Sequence, residues 1–502
     1  MTKHRAVVVS LFSMMLAAAF VGVHCGSCDE VSFWPEDLVV EETAVPPPPA
    51  RDKNQARLLI NGEASFLERM KLIDEARRSI YIQALIFKAD TVGTEIADRL
   101  LARKREDPEL DIRIIVDAYS NIQDIDAQLL YFELMDGGID VQGYEAFYLH
   151  WMNELNLRDW TAGNKRYHEK YWIIDGTKAV VGGMNVGDEY ARVGTDPLLI
   201  WRDQDIYLEG PVVRDVQAAF LQNFSYFTRV KQRWPHQITT DSYWESWRGA
   251  HPQLRGLVTK ALATHQGWRR AKRSPWDPEG LAKRSVGSPL VEDVSVQFIR
   301  SRPRVGESWI ERAYCEHIDR AQHTVIIANA YFVPTPALKR SLLEAARRGV
   351  AVTVITNSKA TNDIPIITDA GRLSYRELME AGVEIYEWHA ERANEGTLHA
   401  KYAVFDSEVA IIGSYNLDPR SRGLNSEDVV VVRDPRLATE LHRRTLDTDL
   451  RLADRITPEQ ARVWADPDLV PLVDEPQLPW SDPRFDPDRF ELFLMRQAER
   501  HL

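Results

Sequence analysis

The chain has 502 residues, 44% of them hydrophobic and 27% charged, with a formal net charge of −13. Such a length suits two or three globular domains, and the acidic balance argues against a broadly basic nucleic-acid binder, so an anionic substrate requires a local basic pocket. Of the three cysteines only Cys315 lies in the region that reads as folded, which excludes an intradomain disulfide and a cysteine zinc site there.

The N-terminus carries Lys3 and Arg5, then an apolar run from Ala6 to Val23, then small and polar residues with Cys25 and Cys28. Residues 1–28 therefore read as a signal peptide or a single membrane anchor, and the protein as exported or membrane-associated in the cell envelope. Acylation of Cys25 is a minority alternative, because His24 stands where a small residue is expected; Cys28 after Ser27 fits slightly better. Residues 29–57, with Pro46 to Pro49, read as a stiff extended linker before a first folded domain over 58–231.

From Leu58 the chain reads as two similar halves. A helical stretch to Arg78, a strand over Ser79–Ile86, a helix near Thr94–Arg105 and a buried strand over Ile112–Val116 make up the first. The second half, over 292–456, repeats them as a strand over Thr324–Asn329, a helix near Ala337–Arg348 and a strand over Val350–Thr356. Leu134-Met-Asp-Gly-Gly-Ile-Asp-Val141 matches Leu378-Met-Glu-Ala-Gly-Val-Glu-Ile385, each a helix end, a turn glycine and a strand. Alternating strands and helices predict an α/β fold, two similar lobes with mixed, largely parallel sheets flanked by helices.

Between the halves, residues 232–291 interleave Trp234, Trp244, Trp247, Trp268 and Trp276 with Arg269, Arg270, Lys272, Arg273, Lys283 and Arg284. That mixture suits an anionic membrane interface, and equally a connector whose tryptophans pack on the two domains. The apolar loop Phe147–Leu157 has the same two readings, acyl-chain contact or packing on its own domain. Residues 457–502, rich in Pro and Asp, read as a wrapping tail without chemistry.

The chemistry lies in a cassette written twice: His168-Glu-Lys170-Tyr-Trp-Ile-Ile-Asp175 and His399-Ala-Lys401-Tyr-Ala-Val-Phe-Asp406. Counted from each histidine, both copies have Lys at +2, Asp at +7, Gly at +14 (Gly182, Gly413) and Asn at +17 (Asn185, Asn416). A lone strand histidine is more often a packed residue than a catalyst, and the doubling reverses that expectation. Two histidines suit phosphodiester exchange, one as nucleophile and one as proton donor.

On an extended strand His168 and Lys170 share a face, as do His399 and Lys401. Asp175, of opposite parity and followed by Gly176, reads as a turn-former; it and Asp406 complete the candidate catalytic set. The return strands bring Gly183 with Asn185, and Ser414 with Asn416, beside the histidines as candidate phosphate-binding positions. A nucleophilic imidazole also needs a carboxylate on its second nitrogen, and each half supplies one after its cassette, Asp203 and Glu427. Metal binding by the histidines is a poor alternative, with no ligand cluster at suitable spacing, and no cofactor is expected.

With His-x-Lys-x4-Asp followed by Gly-Gly/Ser-x-Asn in duplicate, the chain from Leu58 to about Leu452 resembles the phospholipase D superfamily. Gly413-Ser-Tyr-Asn-Leu-Asp-Pro-Arg-Ser-Arg-Gly-Leu-Asn-Ser-Glu427, Ala330-Tyr-Phe-Val-Pro334 and Gly182-Gly-Met-Asn-Val-Gly-Asp-Glu-Tyr190 are similar to bacterial cardiolipin synthases. The resemblance implies two lobes around one shared active site and a ping-pong reaction through a phosphohistidine, with His168 as nucleophile and His399 as acid and base. It implies phosphatidyl transfer to phosphatidylglycerol, with phosphatidylethanolamine a further lipid partner, at a membrane surface. The single apolar N-terminal segment departs from the paired membrane helices of many such synthases, which keeps a hydrolytic phospholipase D producing phosphatidic acid in contention. A nuclease of the same superfamily is disfavoured by the acidic balance, and an idle lipid-binding scaffold by the two intact cassettes.

Overall fold

The computed structural model describes residues 43–117, 125–144, 166–194, 200–233, 267, 276–389 and 396–465. The leader over 1–28, the loop Phe147–Leu157, Trp234, Trp244, Trp247, Trp268 and the basic run Arg269 to Arg273 lie outside these residues, as does most of the tail.

Among the described residues the first lobe is built from β1 (Arg51–Ile60), β2 (Ser79–Ala84), β3 (Asp111–Asp117), β4 (Asp140–Tyr144), β5 (Tyr171–Ile174), β6 (Lys178–Gly182) and β7 (Gln204–Glu209). The second lobe repeats the set as β8 (Val291–Ser301), β9 (Thr324–Asn329), β10 (Ala351–Asn357), β11 (Glu384–Trp388), β12 (Lys401–Phe405), β13 (Val409–Gly413) and β14 (Glu427–Arg433), with β15 (Ala453–Arg455) added at the edge. The spatial order is β4-β3-β2-β5-β6-β7-β1 in one lobe and β11-β10-β9-β12-β13-β14-β8 in the other. Each β strand of the first lobe thus has its counterpart seven numbers later in the same place. Antiparallel pairing of β1 with β8 joins the two halves into one continuous sheet.

The sheets are mixed, but the expected parallel character is confined to β2-β3-β4 and β9-β10-β11. The cassette hairpins β5-β6 and β12-β13, and every strand from there to the junction, pair antiparallel. Hairpins need only a tight turn, whereas parallel neighbours need a crossover, and the helices that would provide crossovers are spent on the three outer strands of each lobe. Strand β1 begins upstream of Leu58, and Pro48 just before it accepts a hydrogen bond from Gln297 on β8 at 2.9 Å. After the second lobe, helix Pro458–Trp464 packs Trp464 against Tyr375 and the Arg372 guanidinium.

Helices Asn61–Glu75, Thr91–Glu106 and Ile125–Asp136 cover one face of the first sheet, and Trp309–Arg320, Pro336–Arg347 and Tyr375–Glu380 the matching face of the second. The other faces form one shared core with helices Val213–Arg233 and Pro435–Asp447, drawing Val181 and Ile206 from one lobe and Ile412 and Val430 from the other. All four are fully buried in it. Among the described residues no helix is long and apolar enough to cross a membrane.

Candidate active site

His168 to Lys170 lead directly into β5, and His399 and Ala400 into β12. Glu169 and Tyr171 share a face, with the Tyr171 hydroxyl donating to Glu169 Oε2 at 2.7 Å, while His168 and Lys170 turn to the other. The residues leading into each cassette strand cross to the opposite lobe. His168 N donates to the Ser426 carbonyl and Ser426 N to the Arg166 carbonyl, both at 2.7 Å; His399 N donates to the Arg202 carbonyl at 2.7 Å and Arg202 N to the Thr397 carbonyl at 2.9 Å. The start of each histidine strand therefore lies beside the start of the other lobe's carboxylate strand.

This crossing exchanges the carboxylates between lobes. His168 Nδ1 donates to Glu427 Oε2 at 2.8 Å, and His399 Nδ1 donates to Asp203 Oδ2 at 2.6 Å. Because a carboxylate only accepts, Nδ1 carries the proton in both rings and each Nε2 holds a lone pair. Neighbouring acids go elsewhere: Asp205 accepts from Arg69 at 2.8 Å and from Ser65 at 2.5 Å, and Asp428 accepts the Lys170 backbone N–H at 2.8 Å. Lys170 Nζ donates to the His168 carbonyl at 2.7 Å, and Lys401 Nζ likewise to the His399 carbonyl.

The two dyads differ in their surroundings. Glu427 also accepts from Ser414 Oγ at 2.5 Å, Ser421 Oγ at 2.8 Å and Asn425 Nδ2 at 3.3 Å. Asp203 has the Gln204 backbone N–H at 2.7 Å, and its histidine is flanked by the Tyr190 and Trp201 rings, each 5.1 Å from the imidazole centroid. Burial pushes the Glu427 carboxyl up, but His168, Lys170 and Ser414 outweigh it and hold it below its ordinary value. Burial raises Asp203 to about 6 against the pull of Lys401. The imidazoles are both pushed down, chiefly by burial, His168 to about 4 and His399 well below its ordinary value, with the buried ammonium groups adding to the effect. Burial also lowers Lys170 to about 7 and Lys401 to about 8. At neutral pH the site thus offers two unprotonated Nε2 atoms among partly desolvated cations, an arrangement that an incoming phosphodiester anion would stabilise.

Not every residue of the candidate set reaches the histidines. Asp175 and Asp406 are not brought to the site: Asp175 accepts the backbone N–H groups of Arg77, Arg78 and Ser79, and Asp406 those of Gln322, His323 and Thr324. Both have left-handed backbone (φ 54° and 52°) in the hairpin turn, seven residues of nearly extended chain from their histidines, or roughly 23 Å. Ser414, expected on the phosphate, spends its hydroxyl on Glu427. A Cβ on Gly183 would stand 2.6 Å from Asp203 Oδ1, so this glycine makes room for the carboxylate rather than for substrate. A Cβ on Gly182 or Gly413 would fall 2.7 or 2.6 Å from a Cα of the adjacent strand, which explains the glycine at +14.

Asn185 Oδ1 accepts from Ile86 N at 3.1 Å and its amide donates to the Tyr190 hydroxyl at 2.9 Å. Asn416 Oδ1 is buried with no hydrogen-bond partner among the described residues, leaving that end of the amide for a bound group. Tyr190, Trp201, Ser421 and Asn425 were not singled out as site residues from the sequence. Trp201 and Asn425 share one available signal, since each stands two residues before its half's carboxylate. Among the described residues no group of His, Cys, Asp or Glu could hold a metal ion.

Residues 70–222 and 314–446 match the family model described as cardiolipin synthase, PLD-like domain. The chain is 30% identical over 416 residues to Cardiolipin synthase A of Pseudomonas entomophila (strain L48), covering 82% of this chain and 72% of the relative. It is 26% identical over 398 residues to Cardiolipin synthase 1 of Bacillus anthracis, covering 79% and 66%. Among solved structures, the phosphatidylserine synthase of Haemophilus influenzae Rd KW20 superposes with a TM-score of 0.59 at 15% identity, covering 90% of this chain and 95% of that one, a likeness of fold. With both cassettes inside the matched segments, the chain belongs to the cardiolipin synthase-like enzymes of the phospholipase D superfamily.

Proposed function

We propose that the protein is a phosphatidyltransferase of the cardiolipin synthase type, moving a phosphatidyl group from a donor phospholipid to the headgroup glycerol of phosphatidylglycerol. The observation that carries this reading is the pair of histidines, each with its Nδ1 proton held by the other lobe's carboxylate and its Nε2 unprotonated. In the first half-reaction His168 Nε2 attacks phosphorus, a P–N bond forms, and the P–O bond to the donor headgroup breaks. The departing oxygen takes the bond's electron pair and a proton from His399 Nε2.

In the second half-reaction an acceptor hydroxyl gives its proton to His399 and attacks phosphorus. The P–N bond breaks and its electron pair returns to His168 Nε2. Two phosphatidylglycerol molecules then give cardiolipin and glycerol, and no redox step is involved. His168 is assigned as nucleophile because its ring becomes cationic when phosphorylated, and Glu427, with four donors and a lowered pKa, is the carboxylate held more firmly in its ionised form.

His399 must carry a proton on Nε2 when the headgroup leaves. Burial depresses His399 most and the Lys401 and Lys170 charges add to it; a phosphodiester anion beside the two lysines offsets those charges and so favours the protonated acid. Each preorganised donor to the pentacoordinate phosphorus oxygens is worth about 3 kcal/mol by analogy with oxyanion holes. Asn416 Oδ1, buried with no hydrogen-bond partner among the described residues, is an acceptor, left for a headgroup hydroxyl rather than for the phosphorus oxygens. The membrane surface of a cell envelope is the proposed setting, on the strength of the N-terminal apolar run and the phospholipid substrates.

The test is incubation of the purified chain with labelled phosphatidylglycerol, with and without phosphatidylethanolamine, in mixed micelles containing a chelator, beside His168→Ala. Cardiolipin that disappears in the variant is the expected result. Phosphatidic acid alone would make water the acceptor and the enzyme a phospholipase D. Turnover of neither lipid would overturn the proposal and direct attention to single-stranded DNA.

A further inference from the structure

A carboxylate stands at the His399 side of the site that neither cassette supplies. The segment after β10 is fastened to the residues around His399: Asn357 Nδ2 donates to the Leu398 carbonyl at 2.7 Å, Leu398 N donates to Asn357 Oδ1 at 2.9 Å, and Thr397 Oγ1 donates to the Thr361 carbonyl at 2.9 Å. Two residues on is Asp363, which is exposed. The Tyr331 hydroxyl donates to it, 2.7 and 2.8 Å from its two oxygens, and Tyr331 is held in turn where Ala330 N donates to the Ala400 carbonyl at 3.1 Å. The segments that carry both residues are therefore tied to the neighbours of His399. Consistent with that placement, the charge of Asp363 acts on His399, Lys401 and Tyr190.

A carboxylate here opposes phosphate binding by like charge, so it calls for a purpose of its own. With about four lone-pair sites and one hydroxyl donor from Tyr331, it retains capacity to accept from a ligand. Ile364-Pro365-Ile366-Ile367 follow directly, with Ile364 44% exposed, so Asp363 marks a boundary between apolar surface and buried cations. Lipid headgroups have to pass on this side, because His399 is the group that protonates the leaving oxygen and deprotonates the entering one.

We infer that Asp363, steadied by Tyr331, receives the hydrogen-bond donors of the lipid headgroup, whether glycerol hydroxyls or an ammonium, and so favours an alcohol over water as the phosphatidyl acceptor. This rests on the phosphatidyl transfer proposed above.

The experiment uses the full chain with phosphatidyl-p-nitrophenol as donor and glycerol or ethanolamine as acceptor. Nitrophenolate release reports formation of the phosphoenzyme, and the ratio of phosphatidyl alcohol to phosphatidic acid reports its partition. Asp363→Asn is expected to lower that ratio about ten- to a hundredfold, the scale of one hydrogen bond to a charged group, with Asp363→Glu restoring much of it and Tyr331→Phe giving a smaller loss. Equal losses for both acceptors would identify hydroxyl recognition, and a larger loss for ethanolamine ammonium recognition. An unchanged ratio in Asp363→Asn, with nitrophenolate still released, would overturn this inference alone. No release from the unmodified protein would overturn the transfer reading, and this inference with it.

Discussion

Substitution of Glu427 by glutamine should separate the two histidines. Glu427 is fully buried and 2.8 Å from His168 Nδ1, so the centres of charge of the carboxylate and a phosphorylated imidazolium lie about 4 Å apart. At an effective dielectric constant near 20 that attraction is about 4 kcal/mol, or roughly three decades in rate. The glutamine side chain can also turn its NH2 toward Nδ1, which moves the ring proton to Nε2 and removes the attacking lone pair. Misdirected tautomers of this kind cost about 10⁴ in serine hydrolase triads, so a fall in kcat of about 10³ to 10⁴ is expected.

With phosphatidyl-p-nitrophenol, whose leaving group needs no proton, Glu427→Gln should abolish the pre-steady-state burst of nitrophenolate. Asp203→Asn should keep the burst and slow the step that follows, where His399 must act as base. Thermal unfolding of both variants by circular dichroism controls for folding. An intact burst in Glu427→Gln together with a lost burst in Asp203→Asn would refute the assignment of His168 as nucleophile.

Asp175→Ala removes the acceptor for three backbone N–H groups at an exposed turn, so it should lower stability by about 1–2 kcal/mol in urea unfolding while the folded enzyme keeps most of its kcat. Gly183→Ala forces a methyl to 2.6 Å from Asp203 Oδ1 and should cost at least about a hundredfold in kcat by displacing the partner of His399; activity within threefold would contradict that geometry. Because Lys170 and Lys401 in the free enzyme are lowered to about 7 and about 8, their charged forms are lost as pH rises through that window. The profile of kcat/KM should therefore fall on its alkaline side with an apparent pKa between these values, a property of the coupled pair, and a flat profile to pH 9 would speak against the lysines as phosphate ligands.

The duplicated spacing made the local geometry legible. Lys at +2 recorded the strand parity that puts each ammonium with its histidine, Asp at +7 recorded the turn, and the repeated helix and strand pattern recorded two lobes. The pairing of dyads was not legible, because it joins residues 259 and 196 positions apart and depends on how the lobes face each other. Asp203 and Glu427 were identifiable as carboxylates in matching places, yet each serves the opposite half's histidine. Ser414 and Gly183 read as phosphate-facing because small residues beside a histidine suggest ligand approach; in the structure their small size accommodates the carboxylates behind the rings. The junction strands escaped for a different reason. The start of β1 lies beside a proline run, and β8 adjoins a stretch without periodicity, so neither stood out before its partner was known.

The most direct test of the two-lobe phosphohistidine account is to trap the intermediate. Phosphate-labelled phosphatidylglycerol would be mixed with the enzyme, quenched in alkali within milliseconds, and the labelled peptide mapped. An acid-labile phosphate label held on His168 by a P–N bond that survives alkali, formed in the unmodified protein and absent from His168→Ala, is the predicted result. Efficient cardiolipin formation with no label on either histidine, or label on His399 alone, would contradict it.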